Sequence, residues 1–362
     1  MALSPTSAGD RRFATETLED VAARIFQAAG MSAPDARLVA NSLVAADRRG
    51  IHSHGVLRVI DYVRKLLHEG VDPKGRPRIV SAKGGAIRID GANALGQVAG
   101  AFAMDTAVAA AREHGVAFAA VGGSNHAGAL EFFTLRAAAA GMIGLAGTNA
   151  LPTMAPWGGV EKIVGLNPLS VAMPAADRPP FVLDVALGAT AHGKIRVYAQ
   201  KGEPLPDGWS FDAEGRPTTD AAAALDGLIQ PIGAFKGIGL AVAVGLLSTM
   251  LTDAGYGLES GNMVDGAYAG RDGQFYMAID IGAFVDPATF ARRVTGAMDQ
   301  IEQSRRKAGV DRIYAPGGLE ASIAVEYDRS GIPLSAATVA TIIEAAELAG
   351  VDASELTSAD AG

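Results

Sequence analysis

Val116-Ala-Phe-Ala-Ala-Val121 runs directly into Gly122-Gly-Ser-Asn-His-Ala-Gly128, and that loop into Ala129-Leu-Glu-Phe-Phe-Thr-Leu-Arg-Ala-Ala-Ala-Ala140. A short apolar run, a glycine-rich turn and an alanine-rich run of helical period read as strand, loop and helix. Ile143–Thr148 is again strand-like, so the segment has βαβ-like grammar and the expected fold class is α/β. The alternation extends both ways. Upstream lie a strand at Ile87–Ile89 and a helix at Val98–Glu113; downstream come a strand at Phe181–Val185, a polar loop over 201–222 and an apolar helix after Lys236. The chain then reads as a helix over Thr289–Ala308, a Pro/Gly turn at 316–318, a strand near Ile323–Val325, a helix capped by Ser335 and a loose tail at 352–362.

The first stretch is different in kind. Thr15 and Thr17 are candidate caps for a helix over Leu18–Ala29, with Gly30 where a C′ glycine belongs. Ser32 opens a second helix ending near Asp47, and Val56, Leu57, Ile60, Val63, Leu66 and Leu67 mark a third that ends at Gly70. Pro73, Gly75 and Pro77 form a boundary.

Composition narrows the function. Of 362 residues, 31 are Lys or Arg and 39 Asp or Glu; the net charge of −8 argues against a nucleic-acid binder, which needs a basic face. With no cysteine there is no disulfide, thiolate metal site or Cys nucleophile. The start lacks a signal-like apolar stretch, and the most apolar run, Gly237–Leu251, is shorter than the roughly 20 residues that cross a bilayer. The expectation is a soluble, cytoplasmic protein with no membrane partner.

Chemistry concentrates in Asp47-Arg-Arg-Gly-Ile-His-Ser-His-Gly-Val-Leu-Arg58. With Ser53 as a helix N-cap, His54 falls in the first turn and Arg58 four residues on, on the same face. Arg grips a carboxylate through two parallel hydrogen bonds, and a His beside it passes a proton to an adjacent carbonyl oxygen. The helix dipole would lower the His54 pKa, and Asp61 is spaced to brace the guanidinium. The same spacing also suits a plain capped helix with two polar surface residues. His126 lies in the loop after a strand, where α/β proteins place ligands, although a tight turn with a hydrogen-bonded His fits equally. His52-x-His54 lacks a third ligand, so no metal is expected. No G-x-G-x-x-G occurs, so the usual dinucleotide fingerprint is missing.

Taken in order, D-R-R-G-I-H-S-H-G-V-L-R (47–58), S-N-H-A-G (124–128), T-N-A (148–150), P-W-G-G (156–159), G-L-N-P (165–168), L-D-V-A (183–186), H-G-K-I (192–195), K-G-I-G-L (236–240) and F-Y-M-A-I-D (275–280) resemble the type-2 malate/L-lactate dehydrogenase family, over about residues 15–345. Its relatives include ureidoglycolate and sulfolactate dehydrogenases, diketogulonate reductase and piperideine-2-carboxylate reductases. The resemblance implies a non-Rossmann NAD(P)-binding fold of the sulfolactate/malate dehydrogenase type and a homodimer. It implies a helical substrate and dimerisation domain from 1–78 plus 291–362, around a mixed α/β cofactor domain at 79–290. It also implies an NAD(P)-dependent interconversion of a 2-oxo and a 2-hydroxy acid. In that scheme Ser53 and His54 belong to the proton-transfer machinery and Arg58 holds the carboxylate of a small-molecule substrate. His126, Ala127, Gly128, Ala129 and Leu130 border the nicotinamide, His126 also being an acid/base candidate. Asp184, Val185, Ala186, Lys236, Gly237, Gly317 and Gly318 are further cofactor contacts. Two positions depart from the family pattern: Arg48 stands where Leu or Met is usual, and the late P-G-E turn reads Pro316-Gly317-Gly318, with Glu320 displaced. Lys194, where the imine reductases carry an acidic residue, favours an oxo acid over a cyclic imine carboxylate.

Overall fold

The computed structural model describes residues 9–68, 70–261 and 269–357. The chain begins with helices α1 (Thr15–Ala28), α2 (Ala33–Arg48) and α3 (Val59–His68). Ser32 caps α2 by accepting the Asp35 N–H. Neither Thr15 nor Thr17 caps α1, whose N-cap is Ala14. Its entry is set instead by the strand Arg11–Phe13, which pairs antiparallel with Ile332–Leu334. Gly30 follows α1 with φ +100°, as its position required.

Seven strands form the main sheet: β1 (Arg78–Lys83), β2 (Ala86–Asp90), β3 (Val116–Ser124), β4 (Met142–Thr148), β5 (Leu169–Met173), β6 (Phe181–Val185) and β7 (Asp272–Asp280). Their order is β1-β2-β3-β7-β4-β5-β6. Helix α4 (Gly96–His114) links β2 to β3, its parallel neighbour. Helix α5 (Glu131–Ala139) links β3 to β4, but these strands do not pair: β7 slots between them, antiparallel to both. The fold is therefore α/β with a mixed sheet.

The rest of the chain is helix-rich: α6 (His192–Lys201), α7 (Ala221–Asp226), α8 (Phe235–Thr249), α9 (Pro287–Glu302), α10 (Gly318–Ser330) and α11 (Ala336–Ala349). The polar stretch 201–222 contains a small hairpin, Ser210–Phe211 against Pro217–Thr218. α9 stops at Glu302, short of Ala308. Residues 323–325 lie within α10 and not in a strand: Ala324 and Tyr327 are buried three apart while Val325 is 70% exposed, the period of a helix and not of a strand. The strand of this region is Ile332–Leu334. Ser335 caps α11 as expected. The tail is tied down through residue 357: Leu356 is fully buried and its carbonyl accepts from Arg11 Nη1 at 2.5 Å, while 358–362 fall outside the described residues.

One core packs α1, α2 and α3 with α11, Tyr327 and Leu95; a second lies between α4, α5 and one face of the sheet. α9 lies against the segment after β5, where Thr295 bonds Ala176 and Arg178 bonds Asp299 and Glu302 at 2.7 Å each.

Between α2 and α3 the expected helix start at Ser53 is replaced by two short 3-10 turns, His52–His54 and Val56–Arg58. Asp47, at the end of α2, supplies the reason. Its buried carboxylate accepts from His52 Nδ1 at 2.7 Å and from the Val56 N–H at 2.6 Å. It sits so close over Gly55 that a Cβ there would lie 2.1 Å from the carboxyl carbon. A Gly55→Ala variant is expected to lose about 1–3 kcal/mol of stability through overpacking. Denaturant melts check this; an unchanged midpoint would show that Asp47 can move aside.

Candidate active site

The turn built by Asp47 presents Ser53, His54 and Arg58, and the loop after β3 presents His126. The rings of His54 and His126 stack, with centroids 5.8 Å apart and an interplanar angle of 16°. Ser53 Oγ lies 3.0 Å from His54 Nδ1. Arg58 is held from both sides: Nε donates to the Ser53 carbonyl at 2.8 Å, and Nη1 to Asp61 at 3.0 Å, the brace expected from spacing. These bonds use two of the five guanidinium N–H donors and leave others for an incoming carboxylate.

The His126 loop is fastened by its neighbours. Asn125 Nδ2 donates to the Ala94 carbonyl at 2.8 Å, its Oδ1 accepts the Gly270 N–H at 2.9 Å, and its carbonyl accepts from Gln274 of β7 at 2.8 Å. His126 Nδ1 lies 2.8 Å from the Tyr62 hydroxyl, which in turn accepts from Gln97 Nε2 at 2.9 Å.

Both imidazoles are held neutral. Burial lowers the His54 pKa to about 4, and the Arg58 charge adds to the effect. His126 is pushed well below the usual histidine range, chiefly by burial and then by His54 and Arg58. The helix dipole is not among the causes for His54, since α3 begins only at Val59.

Most of the remaining expected residues lie along β6 or just beyond it. Asp184 accepts the Glu131 N–H at 2.8 Å, so its carboxyl stands at the start of α5, just past Ala127–Leu130. Burial and the neighbouring Glu131 charge push Asp184 up to about 7. Glu131 is in turn gripped by Arg49, whose Nε and Nη2 lie 2.5 and 3.2 Å from its two oxygens. Past Val185 and Ala186, the Leu187 carbonyl accepts the Ile232 N–H at 3.1 Å. Gly237 packs on Ile232, whose carbonyl oxygen would lie 1.8 Å from a Cβ at that position. Gly317, with φ +84°, packs against Val182 of β6, and the Val182 N–H donates to the Pro316 carbonyl. Gly318 opens α10. Lys236 lies exposed in the first turn of α8, and no hydrogen bond among the described residues joins it to His126–Leu130 or to the 316–318 turn.

Both departures from the family pattern acquire neighbours. Arg48 pairs with Asp328 of α10, and Glu320, though displaced, stands close enough to Glu131 to add to the burial that raises its pKa. Four residues were not singled out from sequence: Asp47 and Arg49 as builders of the site, Tyr62 and Gln97 as partners of His126. Asp47 carried a usable signal, since it continues the buried stripe Ala36, Ala40, Leu43 of α2 with a charged residue.

A family model described as malate/L-lactate dehydrogenase matches residues 13–343. The malate dehydrogenase of Pyrococcus horikoshii is 33% identical over 337 residues, covering 91% of this chain and 93% of that protein. The (2R)-3-sulfolactate dehydrogenase (NADP(+)) of Chromohalobacter salexigens is 35% identical, covering 76% of this chain and 83% of that protein. Among solved structures, sulfolactate dehydrogenase from Methanocaldococcus jannaschii superposes with a TM-score of 0.90 at 31% identity, covering 96% of this chain and all of that one.

The depressed His54 pKa has a measurable consequence. The unfolded chain binds a proton at this residue near pH 6.5, the folded chain only near 4. Between those values the unfolded state carries more protons, so the His54 contribution to stability is intact above pH 6.5 and is lost as pH falls towards 4. Relative to His54→Asn, the wild type should therefore lose stability across this window in denaturant melts. A pH-independent difference would mean that His54 titrates normally.

Proposed function

Because this chain belongs to the malate/L-lactate dehydrogenase family, we propose that it is an NAD(P)-dependent oxidoreductase interconverting a 2-oxo acid and a 2-hydroxy acid. The observation that carries the reading is the juxtaposition of a neutral, stacked His54 with the braced guanidinium of Arg58. Arg58 clamps the substrate carboxylate and fixes the adjacent C2 carbon in the site. In the oxidative direction neutral His54 takes the hydroxyl proton; in reduction its protonated ring returns it to the forming alkoxide. Burial is the larger cause of the low His54 pKa, but binding a carboxylate at Arg58 offsets the positive charge that adds to it, which makes the proton easier to hold when substrate is present.

The residues present suit a dinucleotide. The Phe235 and Lys236 N–H groups that open α8 lie beside the exposed Lys236 side chain and fit a phosphate, while the Gly237 N–H is taken by the Ala234 carbonyl at 3.1 Å. Gly128, with φ +76°, shapes the loop of His126, Ala127, Ala129 and Leu130 expected to border the nicotinamide ring. Asp184, Val185, Ala186, Gly237, Gly317 and Gly318 complete the proposed wall. When bound, the nicotinamide supplies hydride exchange with C2. A relative named for NADP(+) supports a nicotinamide cofactor here.

The reading includes a cytoplasmic homodimer. α8 leaves Phe235, Leu240 and Leu247, with Met250 and Leu251 just after it, between 45% and 58% exposed, an apolar face that a second copy would bury. Leu240→Glu with Met250→Glu should convert a dimer to a monomer in light scattering after gel filtration. A wild type that is already monomeric would remove this part of the proposal.

Oxidation of NADH and NADPH with pyruvate, oxaloacetate, sulfopyruvate and piperideine-2-carboxylate tests the activity, and turnover of none overturns it. His54→Ala should lower kcat for reduction by about 10²–10⁴-fold. Arg58→Leu should lower kcat/KM by about 10- to 150-fold for the acid and barely affect the already poor amide. Equal losses on both would show that Arg58 serves the Ser53–Asp61 framework and not the substrate.

A further inference from the structure

The two stacked histidines differ in what their Nδ1 atoms meet, and the difference begins at a group that cannot reverse. The Gly128 backbone N–H donates to His126 Nδ1 at 3.3 Å. A ring nitrogen that accepts a hydrogen bond carries no proton, so the neutral ring must hold its proton on Nε2. The Tyr62 hydroxyl, 2.8 Å from the same Nδ1, must then donate its hydrogen there. Its oxygen is left as the acceptor for Gln97 Nε2 at 2.9 Å. Burial raises the Tyr62 pKa, which keeps that hydrogen in place. Tyr62 and Gln97 are themselves buried to 1% and 0% exposure, so water does not compete for these bonds. His54 has no such fixture. Its Nδ1 partner is the hydroxyl of exposed Ser53, a rotor that can donate or accept, so the ring can change tautomer or gain a proton without losing its hydrogen bond.

We propose that Tyr62 is a positioning residue that fixes the tautomer of His126, leaving His126 as a standing Nε2–H donor while His54 carries the proton that is transferred. The assignment to Tyr62 stands on the geometry alone; the division of labour rests on the oxidoreductase reading above. His126 Nε2–H, on the ring edge away from Tyr62, offers a hydrogen bond to an oxygen on which negative charge develops. It remains a donor in both directions of the reaction.

Long-range proton–nitrogen NMR on protein labelled with nitrogen-15 histidine tests this, the His126 signals being identified by their loss in His126→Gln. The expected wild-type pattern at neutral pH is a bare Nδ1 and a protonated Nε2 for His126. A proton on Nδ1, or a mixture of the two forms, overturns the proposal without recourse to any variant. Tyr62→Phe leaves only the longer Gly128 bond to hold the ring. The spectrum should move towards a mixture, and kcat should fall about 3- to 10-fold, the scale of one hydrogen bond, with cofactor affinity unchanged. A Tyr62→Phe variant with unaltered spectrum and kcat also overturns it. Protein that shows the Nε2–H pattern yet reduces no 2-oxo or imino acid keeps the tautomer assignment and overturns the oxidoreductase reading.

Discussion

The buried carboxylate of Asp47 is the constraint on which the site depends. An unpaired charge at 1% exposure is costly, so the chain must wrap donors around it. The donors within reach are the His52 ring and the Val56 N–H, and satisfying both folds residues 52–58 into two tight turns instead of the first turns of α3. Gly55 permits the approach because it has no side chain. The side chains that this fold presents to the site are exposed Ser53 and the half-buried His54 and Arg58. The turn is thus shaped from beneath, by a residue that takes no part in the proposed chemistry.

A second link sets where that turn lies relative to the sheet. Arg49, two residues beyond Asp47, holds Glu131 through both carboxylate oxygens, and the Glu131 backbone N–H is held by Asp184 of β6. Three pieces far apart in sequence meet there: the end of α2, the start of α5 beyond the His126 loop, and the end of β6. The pair is largely buried, at 13% and 5% side-chain exposure, so removing one partner would strand the other charge away from water. The ion pair accordingly acts as a register device, fixing the distance between the His54 turn and the loop that carries His126.

How far the sequence could be read follows from the range of the interactions involved. Helix α2 with its Ser32 cap, the strand–loop–helix at 116–140 and the Ser335 cap were legible, because each depends on residues a few positions apart. So was the Arg58–Asp61 brace, which is a local i,i+3 pair. The insertion of β7 between β3 and β4 was not, since no local pattern reveals which distant strand will pair. The turn at 52–58 reads as a helix start for a related reason: Ser53 looks like a cap, but Asp47 captures the Val56 N–H and the His52 ring, which decide the local geometry. Residues 323–325 misled because a short apolar run fits either period until burial is known.

The site is arranged so that its histidines begin uncharged beside a fixed cation. Burial alone would depress both imidazoles, and Arg58 reinforces the effect on each. Two stacked neutral rings can lie 5.8 Å apart without the repulsion that two imidazolium ions would face. The same arrangement leaves Arg58 with its charge only partly offset by Asp61, and with N–H donors still free. A ligand bearing a carboxylate supplies the missing negative charge, and in doing so offsets the Arg58 charge that adds to burial in keeping His54 unprotonated. With Arg58 as the proposed clamp and His54 as the proposed proton carrier, the anion that fits the first also readies the second, and a neutral analogue of the same shape would fill the site without doing so.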